Sequence, residues 1–214
     1  MTPRAYGQYC GFARALEIVG ERWAMMIVRD LLIGPKRFSD LQQGLGKIPS
    51  NILATRLKQM EAAGVVQRRA QPRAEGGGVV YELTAYGREL DETVVALGRW
   101  GAKRLGDPRP GEIVTEDSMC MALHSTFRAE SAGRTHARYE LHVGPVTVHA
   151  IVRDGAVSVG KGSLEHPDLV IDAGPGVRAL MAQEITPDQA LKAKALRITG
   201  DRKYLVKFAQ LFRI

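Results

Sequence analysis

Between Lys47 and Val66 the chain reads KIPSNILATRLKQMEAAGVV. On a helix turning about 100° per residue, Leu53, Leu57 and Met60 share one stripe. Asn51, Thr55, Lys58 and Ala62 fall opposite, flanked by Arg56 and Gln59. The outer face thus offers amides, a hydroxyl and cations, while Glu61 falls nearer the apolar stripe. Such groups recognise; they do not react. Amides pair with adenine, guanidinium and ammonium groups with guanine or phosphate, and a carboxylate at the centre would repel a nucleic-acid backbone.

A lone helix carries a polar face for solvation alone, so the elements around it decide. FSDLQQGLG predicts a short helix over Ser39–Leu45 with Ser39 as its cap, followed by a turn over Gly46–Pro49 and a longer helix over 50–63. VVQRRA and VVYELT are β-type runs, and QPRAEGGG (71–78) between them has hairpin-tip composition. Helix, turn, helix and basic hairpin make a winged helix-turn-helix. The expected DNA-reading set is Ser50, Asn51, Thr55, Arg56, Lys58 and Gln59 on the helix, with Arg69 and Arg73 on the wing. Lys36 and Arg37, just before the motif, are expected phosphate contacts. Upstream, FARALEIVG and WAMMIVRDLLIG have helical spacing, the second apolar nearly all round; a last helix runs from Leu90 to Leu105.

The charge balance agrees. The formal net charge is +7, and residues 1–105 hold sixteen Lys and Arg against ten Asp and Glu, whereas the remainder is nearly balanced. A basic first half beside a neutral second half implies a polyanionic partner for the first. No apolar run is long enough to span a membrane, and no secretory signal opens the chain. Two cysteines, Cys10 and Cys120, are too few for a disulfide framework, so a cytoplasmic location is expected. His124, His136, His142, His149 and His166 are scattered without metal-ligand spacing; GKG and GPG read as turns, and no GxxxxGK[ST] occurs. No nucleophile–base pair is evident, so neither enzyme activity, metal nor cofactor is expected.

The second half changes pattern. Glu116–Glu130 predicts a helix carrying Met119, Met121 and Leu123. ARYELHVG, VTVHAIVR, AVSVGKG and DLVIDA read as strands with Asp154-Gly155 as a hairpin turn, and helices flanking LRIT close the chain. The expected fold class is α+β, with a mostly helical winged unit over 1–106, a linker over 107–112 and an α+β unit over 113–214.

Cys10 followed by ARALEIVGERWAMMIVRDLLIGPKRFSDLQQGL, LATRLKQMEAAGVVQRR, YELTAYGREL and LGRWG resembles the HxlR-type winged-helix transcriptional regulators over residues 10–104. The resemblance implies a bacterial or archaeal homodimer, usually a repressor, that presents two 50–63 helices to successive major grooves of a pseudo-palindromic duplex. It implies dimerisation through the first and last helices, hence Phe12, Leu16, Val19, Leu90, Val94, Leu97 and Trp100. It also places Cys10 where some members carry a redox sensor, although Gly11 stands where many have Pro. HPDLVIDAGPGVRALMAQEITPDQALKAKALRITGDRKYLVKFAQLF is similar to the C-terminal part of sterol-carrier-protein-2-like domains. That implies a hydrophobic small-molecule ligand, with Met121, Leu123, Leu180, Met181, Leu205, Phe208 and Leu211 as candidate pocket lining. The competing reading is a lipid-binding protein whose winged helix makes protein contacts instead of DNA contacts.

Overall fold

Leu53, Leu57 and Met60 are buried, while Asn51, Thr55, Lys58 and Gln59 on the opposite side are exposed. The 3.6-residue stripe therefore sets the orientation of its helix, each buried side chain contributing about 1.5–3 kcal/mol. The computed structural model describes residues 5–46, 48–106, 108–174 and 176–214. Asp107, the first residue of the expected linker, lies outside them. The fold is α+β, as expected, and divides into two compact units, one ending at Val94 and the other starting at Val95.

In the first unit α1 (Gly11–Val19), α2 (Ala24–Ile33), α3 (Phe38–Gly44) and α4 (Ser50–Ala62) precede a hairpin of β1 (Val66–Ala70) and β2 (Val79–Leu83). A short helix, α5 (Ala85–Arg88), follows, then α6 (Asp91–Ala102), which crosses the division. The last helix thus ends three residues before Leu105. α2 is buried through Ala24, Ile27, Val28 and Leu31, and also through Asp30, whose carboxylate pairs with Arg29 at 2.6 Å. The cap of α3 falls two residues earlier than expected: Arg37, not Ser39, occupies it, its N–H held by the Asp40 carboxylate at 2.9 Å. The hairpin is antiparallel, pairing Val66 with Leu83 and Ala70 with Val79. Lys36 adds a one-residue third strand, bonding Tyr81 in both directions at 2.9 and 2.7 Å. Gly87 explains the YG of the sequence: a Cβ there would stand 2.1 Å from the Val65 carbonyl oxygen.

The second unit builds a five-stranded sheet in the order β5-β4-β3-β6-β7 from β3 (Ala137–Val143), β4 (Val146–Arg153), β5 (Ala156–Lys161), β6 (Leu169–Ala173) and β7 (Leu196–Gly200). All neighbours are antiparallel except β3 and β6. Asp154 and Gly155 both take positive φ at the β4–β5 turn, as their pairing predicts. The helices are α7 (Glu116–Thr126), α8 (Ala129–Ala132), α9 (Gly176–Met181), α10 (Pro187–Lys192) and α11 (Arg202–Leu211). The expected 116–130 helix is broken at Phe127, which leaves the helix to bridge Phe212. β4 alternates buried Val146, Val148, Ala150 and Val152 with more exposed residues, so one face of the sheet carries the core. Tyr139 of β3 meets Phe208 and Phe212 edge-on at ring separations of 5.3 and 6.0 Å.

Candidate nucleic-acid interface

α4 starts behind Pro49, which fixes an extended backbone just before the first helical turn. Its exposed surface holds Ser50, Asn51, Thr55, Lys58 and Gln59. The Thr55 hydroxyl donates to the Asn51 carbonyl at 2.7 Å, which uses its proton and leaves the oxygen free to accept.

The cations divide into two groups. Arg56 donates to the Glu21 carboxylate at 2.7 Å, to the Arg22 carbonyl at 3.3 Å, and to Gln59. Arg68 pairs with Glu61 at 2.7 Å and Arg69 with Glu82 at 2.9 Å. The bonds from Arg69 and Gln67 hold the Glu82 carboxyl below the usual carboxylate range. Arg37 donates to the carbonyls of Gly76 and Gly77, and Lys36 is buried. Lys58 and Arg73 are exposed, and among the described residues neither meets a hydrogen-bond or ion-pair partner. Among the described residues the interface therefore presents two uncompensated cations, one on the helix and one on the wing, beside a row of neutral donors and acceptors. Glu21, which restrains Arg56, has no local sequence signal: it lies 35 residues away in the chain.

Of the expected dimer residues, Phe12 and Trp100 are exposed at 73% and 70%, Leu97 is exposed, Leu16 and Leu90 are half-buried, and Val19 and Val94 are buried. Cys10 is exposed immediately before α1, where the N–H groups of Ala13 and then Phe12 lower its thiol pKa. In the second unit Met121, Leu123, Leu180, Met181, Leu205, Phe208 and Leu211 are all buried. Among the described residues no three His, Cys, Asp or Glu side chains gather into a metal cluster, and no helix is long and apolar enough to cross a membrane.

An apolar-anchored helix with an acid-poor outer face, followed by a basic wing, defines a winged helix-turn-helix protein of the transcriptional-regulator class. The chain belongs to the HxlR-like helix-turn-helix family, matched over residues 18–108, and residues 123–213 match the SCP-2 sterol transfer family. An HTH-type transcriptional regulator of Mycobacterium tuberculosis is 39% identical over 113 residues, 51% of this chain and 66% of that protein. The chain thus spans about two thirds of the mycobacterial relatives it matches. The HTH-type transcriptional regulator YvaP of Bacillus subtilis is 33% identical over 92 residues, covering 43% of this chain and 84% of YvaP. Among solved structures, the HTH-type transcriptional regulator YtcD aligns with a TM-score of 0.42 at 32% identity, over 46% of this chain and 99% of that one.

Proposed function

We propose that the protein is a cytoplasmic, homodimeric repressor that reads a pseudo-palindromic duplex through α4 and the wing. Residues 1–106 serve DNA binding and dimerisation, and 113–214 form a ligand-binding module joined through 107–112. The observation that carries this reading is the outer face of α4. Leu53, Leu57 and Met60 bind it to the core, so Asn51, Thr55, Lys58 and Gln59 can only face outward. Arg73 extends the same cationic character to the wing. The relatives' description as HTH-type transcriptional regulators supports it, and the exposed Phe12, Leu97 and Trp100 supply apolar surface for a second copy. A hydrophobic ligand of the second unit modulates DNA binding if it favours one dimer arrangement over another.

The test is binding of purified protein to its own upstream intergenic duplex at two salt concentrations, with a scrambled duplex as control. Selective, salt-sensitive binding is expected; equal weak binding to both duplexes, in ligand-free protein, overturns the reading. A second mode, control by oxidants or electrophiles at Cys10, is supported by the thiol's exposure and lowered pKa. Diamide is then expected to change duplex affinity in wild type and not in Cys10→Ser, and an identical response of the two refutes that mode.

A further inference from the structure

Gly76, Gly77 and Gly78 have φ of 99°, 66° and 90°, values that L side chains rarely adopt. This run of left-handed residues folds the wing tip back and brings two carbonyls, those of Gly76 and Gly77, onto one guanidinium. Arg37, 39 and 40 residues earlier in the chain, donates to them through Nη2 at 2.9 and 2.8 Å. The fit depends on glycine: a Cβ on Gly76 would stand 2.8 Å from that same nitrogen. The other end of Arg37 is equally fixed. Its N–H is held by Asp40 at the start of α3, and its neighbour Lys36 pairs with Tyr81 of β2 in both directions. Arg37 therefore runs as a brace from the start of the helix-turn-helix to the far end of the wing.

We infer that Arg37 is a positioning residue that sets where the wing, and with it Arg73, stands relative to α4. A hairpin tip of three glycines would otherwise sample many conformations, and ordering it on DNA would weaken binding. A brace formed before binding removes that cost and fixes the distance between the two uncompensated cations, Lys58 and Arg73. Arginine suits the role because its rigid planar guanidinium fixes both N–H directions of Nη2, so one nitrogen holds two acceptors in a set geometry, whereas a lysine ammonium on its flexible stem does not. The inference rests on the DNA-reading function for its consequence, though not for its geometry.

The experiment has two arms. In the first, amide hydrogen exchange is followed in full-length wild type, Arg37→Ala and Arg37→Lys without DNA. Exchange at Gly76 and Gly77, whose N–H groups bond Arg73 and Pro72 carbonyls, is expected to quicken in both variants while α4 stays as protected as in wild type. Unchanged exchange at the tip overturns the brace. In the second, affinity is measured for the duplex that wild-type protein selects from a randomised pool. Arg37→Ala and Arg73→Ala are each expected to weaken binding several-fold, and the double variant to stay within about twofold of the weaker single one. Arg37→Lys is expected to behave like Arg37→Ala although it keeps the charge. Losses that multiply in the double variant, or rescue by lysine, mean that Arg37 touches phosphate itself and overturn the positioning role. If wild type selects no sequence, the DNA-reading function fails, and the exchange arm still decides whether the brace exists.

Discussion

The division of the cations into engaged and uncompensated ones makes a quantitative forecast for Lys58→Ala. Binding a phosphate with a free cation releases a condensed counterion, and each such contact contributes about 0.9 to the slope of log affinity against log salt. Lys58 has no partner among the described residues, so its full charge is available to the duplex. The proposed dimer would carry two copies, and Lys58→Ala should then reduce the slope by about 1.8. Over a fourfold rise in salt the wild-type advantage over the variant should shrink by about 12-fold. Arg68 is the internal control: it is exposed and on the wing, but Glu61 neutralises it at 2.7 Å. Arg68→Ala combined with Glu61→Gln removes the pair at no change in net charge and should leave the slope nearly unchanged. The assay is fluorescence anisotropy of a labelled operator duplex across a salt series. Equal slope changes for the two variants, or an unchanged slope for Lys58→Ala, would refute the argument that pairing within the protein decides which cations meet DNA.

Glu21→Gln releases Arg56 from an exposed ion pair and should raise duplex affinity by up to about fivefold, the range such pairs support; a fall in affinity in the same assay argues that Glu21 orients Arg56 instead of withholding it. Tyr139 has a buried hydroxyl without a partner among the described residues, and burial pushes its phenol pKa up. Tyr139→Phe should leave urea stability unchanged or raise it by about 1 kcal/mol, and a comparable loss would reveal a hydrogen bond to that hydroxyl. Burial alone would raise the Glu140 carboxyl, but the Leu164 N–H, His142 and Ser163 more than offset it and hold it below its ordinary value of 4.5. A carboxyl depressed on folding stabilises fully above its unfolded pKa and loses that contribution as pH falls through the folded one. Wild type should therefore lose more stability below pH 4.5 than Glu140→Gln does, and parallel denaturation curves across that window would show that Glu140 is not the titrating group.

Much of the fold is legible because its signals are local. The Leu53, Leu57 and Met60 stripe needs only helical periodicity, and Asp154-Gly155 needs only the backbone freedom of its two residues. β4 stands out as a strand because buried and more exposed positions alternate along it, whereas β3 is recognised by its β-type residues and buries Tyr139, Glu140 and Leu141 in succession. What stayed hidden depends on partners far along the chain. Ser39 is a sound cap by type, yet the chain at 36–37 is drawn into pairing with Tyr81, and the helix starts from Arg37 instead. A helix over 116–130 is reasonable by composition, but Phe127 is recruited by Phe212, 85 residues on. The engagement of Arg56 by Glu21 and of Arg37 by two carbonyls of the glycine turn follows the same rule: charge type shows that a residue can bind a polyanion, and only the fold shows whether the protein already occupies it.

The sheet of the second unit also carries a schedule. Its central strand β3 pairs in parallel with β6, and the aromatic side chains that cover Tyr139 come from α11 and Phe212. A growing polypeptide can close the wing hairpin within some twenty residues of synthesis, because β1 and β2 are near neighbours. The C-terminal core must wait for residues 202–212 to leave the ribosome, with Tyr139 of β3 meanwhile lacking the rings of Phe208 and Phe212. The interval is when this chain is most open to mispairing with a nascent neighbour. Slowing translation after residue 173 should therefore lower the soluble yield of the whole chain more than the same pause placed at 84.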